Sequence, residues 1–148
     1  MKDFIKVMKA LSDPNRVKLL KMLQRRERCV CEIQAALGIA QPTVSKHLKV
    51  LEGAGLVGRK KDGLWVNYHL SNGGSSPYAA SLLGNLRHWL EDDAKVRELL
   101  AKSEGLRRED LCGVREEGSG SGPAGKRRSG VLRAARPAVL PTDGDKGT

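Results

Sequence analysis

CVCEIQAALGIAQPTVSKHLKVLEGAGLV, residues 29–57, decides the fold. Its first part carries Ile33 and Leu37 at helical spacing and stops at Gly38, a residue suited to the left-handed position just past a helix. After the turn Gly38–Gln41, Pro42 suits the first helical position, and Val44, Leu48 and Leu51 follow at i, i+4 and i+7. Gly53 and Gly55 close this second helix. Two helices joined by a short glycine-bearing turn make a helix-turn-helix.

The flanks extend that unit. Residues 3–11 predict an amphipathic helix with Phe4, Ile5, Met8 and Leu11 on one side. Ser12 or Asp13 then acts as N-cap, with Pro14 at the first position of a helix that runs to about Arg26 through Val17, Leu20 and Leu23. Downstream, LVGRKKDGLWVNYHL (56–70) is two β-runs around Asp62-Gly63, a hairpin signal. Residues 77–102 restore helical spacing through Leu82, Leu86, Leu90 and Leu99, widened by Leu83, Trp89, Val96 and Leu100. The order ααααββα predicts a mainly α winged helix-turn-helix with a β-hairpin wing. Trp65 and Trp89 read as packing residues and His69 as a wing-strand residue.

Residues 1–102 form the expected folded domain, and 103–148 a linker and disordered tail. Positions 113–148 hold 8 Gly and 3 Pro, with seven basic residues against four acidic ones. The whole chain sets 27 Lys+Arg against 17 Asp+Glu, a net +10 that favours a polyanionic partner or an anionic membrane surface. No apolar run approaches the roughly 18–20 residues that span a bilayer, and the N-terminus lacks a signal-peptide pattern. The expected location is cytoplasmic, where thiols stay reduced and close cysteines point to metal or redox chemistry. No phosphate loop, nucleophile elbow or acid/base pair suggests an enzyme.

The second helix of a helix-turn-helix enters the major groove by its N-terminal end. Here that end offers Gln41, Thr43, Ser45, Lys46 and His47 to base edges. Lys49 suits a phosphate, and Arg59, Lys60 and Lys61 make a basic wing tip.

LSDPNRVKLLKML (11–23), the opening stretch and KKDGLWVNYHL (60–70) together resemble the ArsR/SmtB family of metal-responsive bacterial repressors, over roughly residues 3–102. The resemblance implies a homodimer joined chiefly through its first and last helices. Such a dimer binds double-stranded operator DNA, an imperfect inverted repeat in its own promoter, until an effector releases it. Twofold symmetry independently matches two half-sites.

Cys29-Val30-Cys31 matches the CVC box of the family's arsenic- and cadmium/lead-sensing branches. In a regular helix residues i and i+2 point about 200° apart, so both thiolates hold one ion only where the helix start is distorted. Thiolates select soft ions: arsenite or antimonite as inducer, or Cd, Pb or Zn. The bland alternative is two small buried hydrophobes; Arg26, Arg28 and the helix N-terminus argue instead for thiolates. The family's arsenical pattern has a further cysteine shortly after the box, which this chain lacks. Cys112 is either that third ligand, from the same chain or across the dimer, or incidental, in which case a small thiol or water completes the site. The cadmium/lead branch adds cysteines from an N-terminal extension, and this chain starts close to its first helix. Zinc sensors carry ligands along the last helix in a spacing that His88, Glu91 and Asp92 do not match. Two other readings stay open: a thiol-redox-responsive repressor of the same fold, and a protein-interaction module.

Overall fold

The computed structural model describes residues 1–74 and 76–111; the expected tail and Cys112 lie outside them. The elements are α1 (Lys2–Ala10), α2 (Pro14–Arg25), β1 (Arg28–Cys29), α3 (Val30–Leu37), α4 (Gln41–Gly53), β2 (Val57–Asp62), β3 (Trp65–Leu70), α5 (Pro77–Leu86), α6 (Ala94–Glu104) and α7 (Arg108–Leu111). This is the winged helix-turn-helix that the sequence predicts. Its core joins Leu19, Leu20 and Met22 of α2 to Ile33, Val44, Leu48 and Leu51 of the α3–α4 pair. Each such fully buried side chain contributes about 1.5–3 kcal/mol relative to exposure. Among the described residues no helix is long and apolar enough to cross a membrane.

Local chemistry sets the boundaries. The Asp13 carboxylate accepts from the Asn15 and Arg16 N–H groups at 2.8 and 3.2 Å and starts α2. Partial burial raises the Asp13 pKa, but those two donors and the nearby Arg16 charge outweigh it and hold the carboxyl below its ordinary value. Gly38 ends α3 at φ +68°, where its N–H returns to Gln34 O at 2.8 Å.

Six features differ from the sequence expectation. In α1 the side turned inward is Val7 and Ala10, while Phe4, Ile5 and Met8 stay 37–41% exposed; the helix has two apolar faces, and only one meets the core. β1 is an additional strand, pairing Arg28 with Tyr68 and Cys29 with Asn67 at the side of β3 away from β2. The hairpin turn sits one residue later than Asp62-Gly63: Asp62 pairs with Trp65, and Gly63 and Leu64 make the turn, Gly63 at φ +65°.

The expected helix over 77–102 is two helices. Lys21, 2% exposed, donates to Leu86 O and Trp89 O at 3.0 Å each and to the Glu91 carboxylate, taking up carbonyls at the end of α5. Asp93 then caps α6 through the Val96 N–H at 3.0 Å. Trp89, which the spacing placed in the core, lies in the intervening turn and is 49% exposed. Finally, α6 and α7 carry helical structure past residue 102 to Leu111.

Candidate nucleic-acid interface and thiol site

Burying Val44, Leu48 and Leu51 turns the opposite side of α4 to solvent. Gln41, Thr43, Ser45, Lys46 and Lys49 are all exposed there. His47 is not with them: it is 9% exposed, its Nδ1 3.3 Å from Arg16 Nη1. A guanidinium only donates, so Nδ1 accepts and a neutral ring carries its proton on Nε2. The same Arg16 donates to Ala10 O at 2.7 Å and Lys9 O at 3.1 Å, closing the end of α1. His47 therefore ties α4 to the α1–α2 corner instead of joining the exposed face.

On the wing, directly opposed residues share a face of the hairpin. Lys60 opposes Asn67, and Asp62 opposes Trp65; Arg59 and Lys61 oppose Tyr68 and Val66 on the other face. The basic run thus divides. Arg59 lies 3.3 Å from Glu52 of α4, whereas Lys60 reaches Glu27 at 3.6 Å. Lys61 is exposed.

Cys29 and Cys31 stand on different backbone. Cys29 ends β1 in an extended conformation (φ −88°, ψ 170°), is the N-cap of α3 and is 3% exposed. Cys31 belongs to the first turn of α3 and is half-buried. That arrangement takes Cys29 out of the regular helix that holds Cys31. Glu32 maintains it by accepting the Cys29 N–H at 3.1 Å in a capping box.

Glu32 is itself buried, 2.8 Å from Arg26 Nη2 and 3.8 Å from Arg28 Nη1. Arg28, 1% exposed, donates to Ser103 O at 2.9 Å and to Ser103 Oγ at 3.3 Å, joining β1 to α6. Burial and the Arg26 charge push the Arg28 guanidinium below its usual range, against Glu32 and Glu104. Both arginines expected to favour thiolates thus reach Glu32.

Cys31 opens on a surface cleft that it shares with Gly38, Ile39, Gln41 and Leu111. That cleft runs from the thiol to the first residue of α4. The residue after Leu111 is Cys112, outside the described residues. Among the described residues, no three His, Cys, Asp or Glu side chains group as a metal site. His88, Glu91 and Asp92 lie in the exposed α5–α6 turn, where Glu91 pairs with Lys21 and Asp92 with Arg97 at 3.1 Å.

Residues 13–58 match the family described as "Bacterial regulatory protein, arsR family". Over 92 residues the chain is 36% identical to the arsenic resistance transcriptional regulator ArsR1 of Pseudomonas putida, covering 60% of this chain and 72% of that one. The chain belongs to the arsR family. Family members are transcriptional regulators with a helix-turn-helix DNA-binding fold, and not enzymes. Two solved structures agree with its winged fold. One is the transcriptional repressor BigR from Xylella fastidiosa (31% identity, 59% of this chain, 83% of that chain, TM-score 0.51). The other is the homodimeric winged helix-turn-helix DNA-binding domain (fragment 1–100) Mb0332 from Mycobacterium bovis, a possible ArsR-family transcriptional regulator (26%, 62%, 81%, TM-score 0.51).

Sequence reasoning missed Lys21, Glu32 and Arg108 of this arsR-family chain. Glu32 was findable, because Cys29-x-x-Glu32 has the spacing of a capping box. Lys21 and Arg108 act on partners remote in sequence, and no local pattern marks them.

Proposed function

We propose that this arsR-family chain is a homodimeric transcriptional repressor. It binds an imperfect inverted repeat of operator DNA and leaves it when arsenite or antimonite binds Cys29, Cys31 and Cys112. The observation that carries this reading is the placement of Cys29 outside α3 and Cys31 inside it, so that the about 200° opposition of a regular helix does not bind this pair. The Leu111 contact with the Cys31 cleft favours Cys112 as third donor. The donor set fits a soft, thiophilic centre, which supplies strong bonds to sulfur.

The chain's own residues supply the response. Cys29 is held by the capping box and Cys31 by the first turn of α3, so drawing their sulfurs together repacks the start of that helix. Gln41 borders the same cleft, which carries the strain into the turn before α4. In this reading Gln41, Thr43, Ser45 and Lys46 meet base edges, while Lys49, Arg59, Lys60 and Lys61 meet phosphate or the minor groove.

The exposed Phe4, Ile5 and Met8 support a dimer face, together with Tyr78 of α5, whose ring meets Phe4 edge-on at 5.4 Å. Residues 1–102 then supply DNA binding and dimer contacts in the cytoplasm. Residues 103–148 form a linker and basic tail, with α7 the part of the linker that returns to α3.

Arsenite titration of reduced protein, followed by thiol absorbance, tests the donor set. One ion per protomer is expected, with weaker binding in Cys29→Ser, Cys31→Ser and Cys112→Ser alike. Equal binding by all three variants and the wild type would return the cysteines to packing.

A further inference from the structure

We propose that Arg108 is a positioning residue for DNA binding, which fastens the tip of the wing to α7. The inference rests on the reading of the wing as an element that contacts DNA. Asp62 and Trp65 are the last pair before the hairpin turn, so their side chains share one face, and Asn67 lies two residues on along that face. Arg108 meets all three. Its guanidinium carbon stands 3.9 Å from the Trp65 ring centroid, and Nη1 lies 3.0 Å from Asp62 Oδ2 and 3.3 Å from Asn67 Oδ1.

Besides the Arg59–Glu52 and Lys60–Glu27 ion pairs, the wing tip has little else to fix it. From Arg59 to Leu64 every residue is exposed, Leu64 at 80%. Past the β1 pairing at Tyr68 and Asn67 the wing is only two-stranded, and a two-stranded hairpin alone is marginal in water. The Arg108 contact ties this projecting segment to the body, and a planar guanidinium can stack on Trp65 while donating to Asp62 in a way that an ammonium cannot.

The far end of the same short helix reaches the thiol cleft. α7 packs on α3, and Leu111 lines the cleft with Cys31. One four-residue helix therefore touches the wing tip through Arg108 and the thiol cleft through Leu111. Displacing α7 at the thiol end loosens the wing at the other, a second route to the DNA beside the strain on α4.

The test is DNA affinity at several salt concentrations, on a duplex from the protein's own promoter. It compares wild type, Arg108→Gln, Arg108→Lys, the double variant Lys60→Ala/Lys61→Ala, and the triple combination with Arg108→Gln. Arg108→Gln should weaken binding about three- to fivefold, as expected for loss of a partly exposed cation–π contact, and flatten the salt dependence. Arg108→Lys should recover part of the loss. In the background lacking both lysines, Arg108→Gln should add little, because both changes act through the wing.

In a Trp89→Phe background, Trp65 emission reports whether the stack is broken. Asp62→Asn attacks the same contact from the exposed side, should Arg108→Gln not fold. An unchanged affinity and salt slope with a shifted Trp65 emission would overturn the inference. So would a loss fully additive with the wing lysines, which marks a general structural role. Wild-type protein that binds no promoter DNA would instead remove the reading beneath it.

Discussion

Two sets of cations in this chain do opposite work. Lys46, Lys49 and Lys61 stand in solvent on α4 and the wing, whereas Lys21 and Arg28 are 2% and 1% exposed. All five count equally toward the net charge of +10 that points to a polyanion. Only the first set is available to one. The second set is used internally, Lys21 closing α5 and Arg28 joining β1 to α6. Net charge therefore indicates the class of partner without identifying the residues that meet it.

Substitutions on either side sharpen the contrast. Arg28→Ala leaves Glu32 buried with only Arg26, and breaking a buried pair costs about 3–5 kcal/mol. Chemical denaturation should read a loss of that order; a change as small as that of a surface residue would break the comparison.

Lys46→Ala or Gln41→Ala should leave stability within about 0.5 kcal/mol and weaken specific operator binding by about 1–3 kcal/mol if the residue makes a base contact. Competition with mutated operators reads this, and an unchanged sequence preference would remove the residue from the base-reading set.

A smaller effect falls on Asp13, whose pKa is held down in the fold. A depressed carboxyl contributes stability that is complete above its unfolded value of 3.8 and disappears as pH falls through the folded value. Asp13→Ala should thus cost about 0.5–2 kcal/mol at neutral pH, and the gap from wild type should narrow in acid below that value. A gap that persists unchanged there would assign the cost to packing.

The helix-turn-helix was legible because its signals are local: Gly38 as a stop, Pro42 as a start, and Val44, Leu48 and Leu51 on one face. The wing was legible by its alternation, with an error of one residue at the turn. The break in the last helix was not, since it depends on Lys21 reaching carbonyls of a distant segment. β1 escaped for a similar reason: two residues become a strand only because β3 lies beside them. At the site, the exposed polar residues of α4 were readable from the buried stripe. The inward turn of His47 was not, because Arg16 draws it in from another helix.

The most direct measurement is fluorescence anisotropy of reduced protein on its own promoter duplex during arsenite titration, for wild type, Cys29→Ser and Cys112→Ser. The account predicts release of the wild type by arsenite, with both variants still binding DNA but responding weakly or not at all. Retention of DNA by the wild type at saturating arsenite, or release that ignores both cysteines, would contradict it.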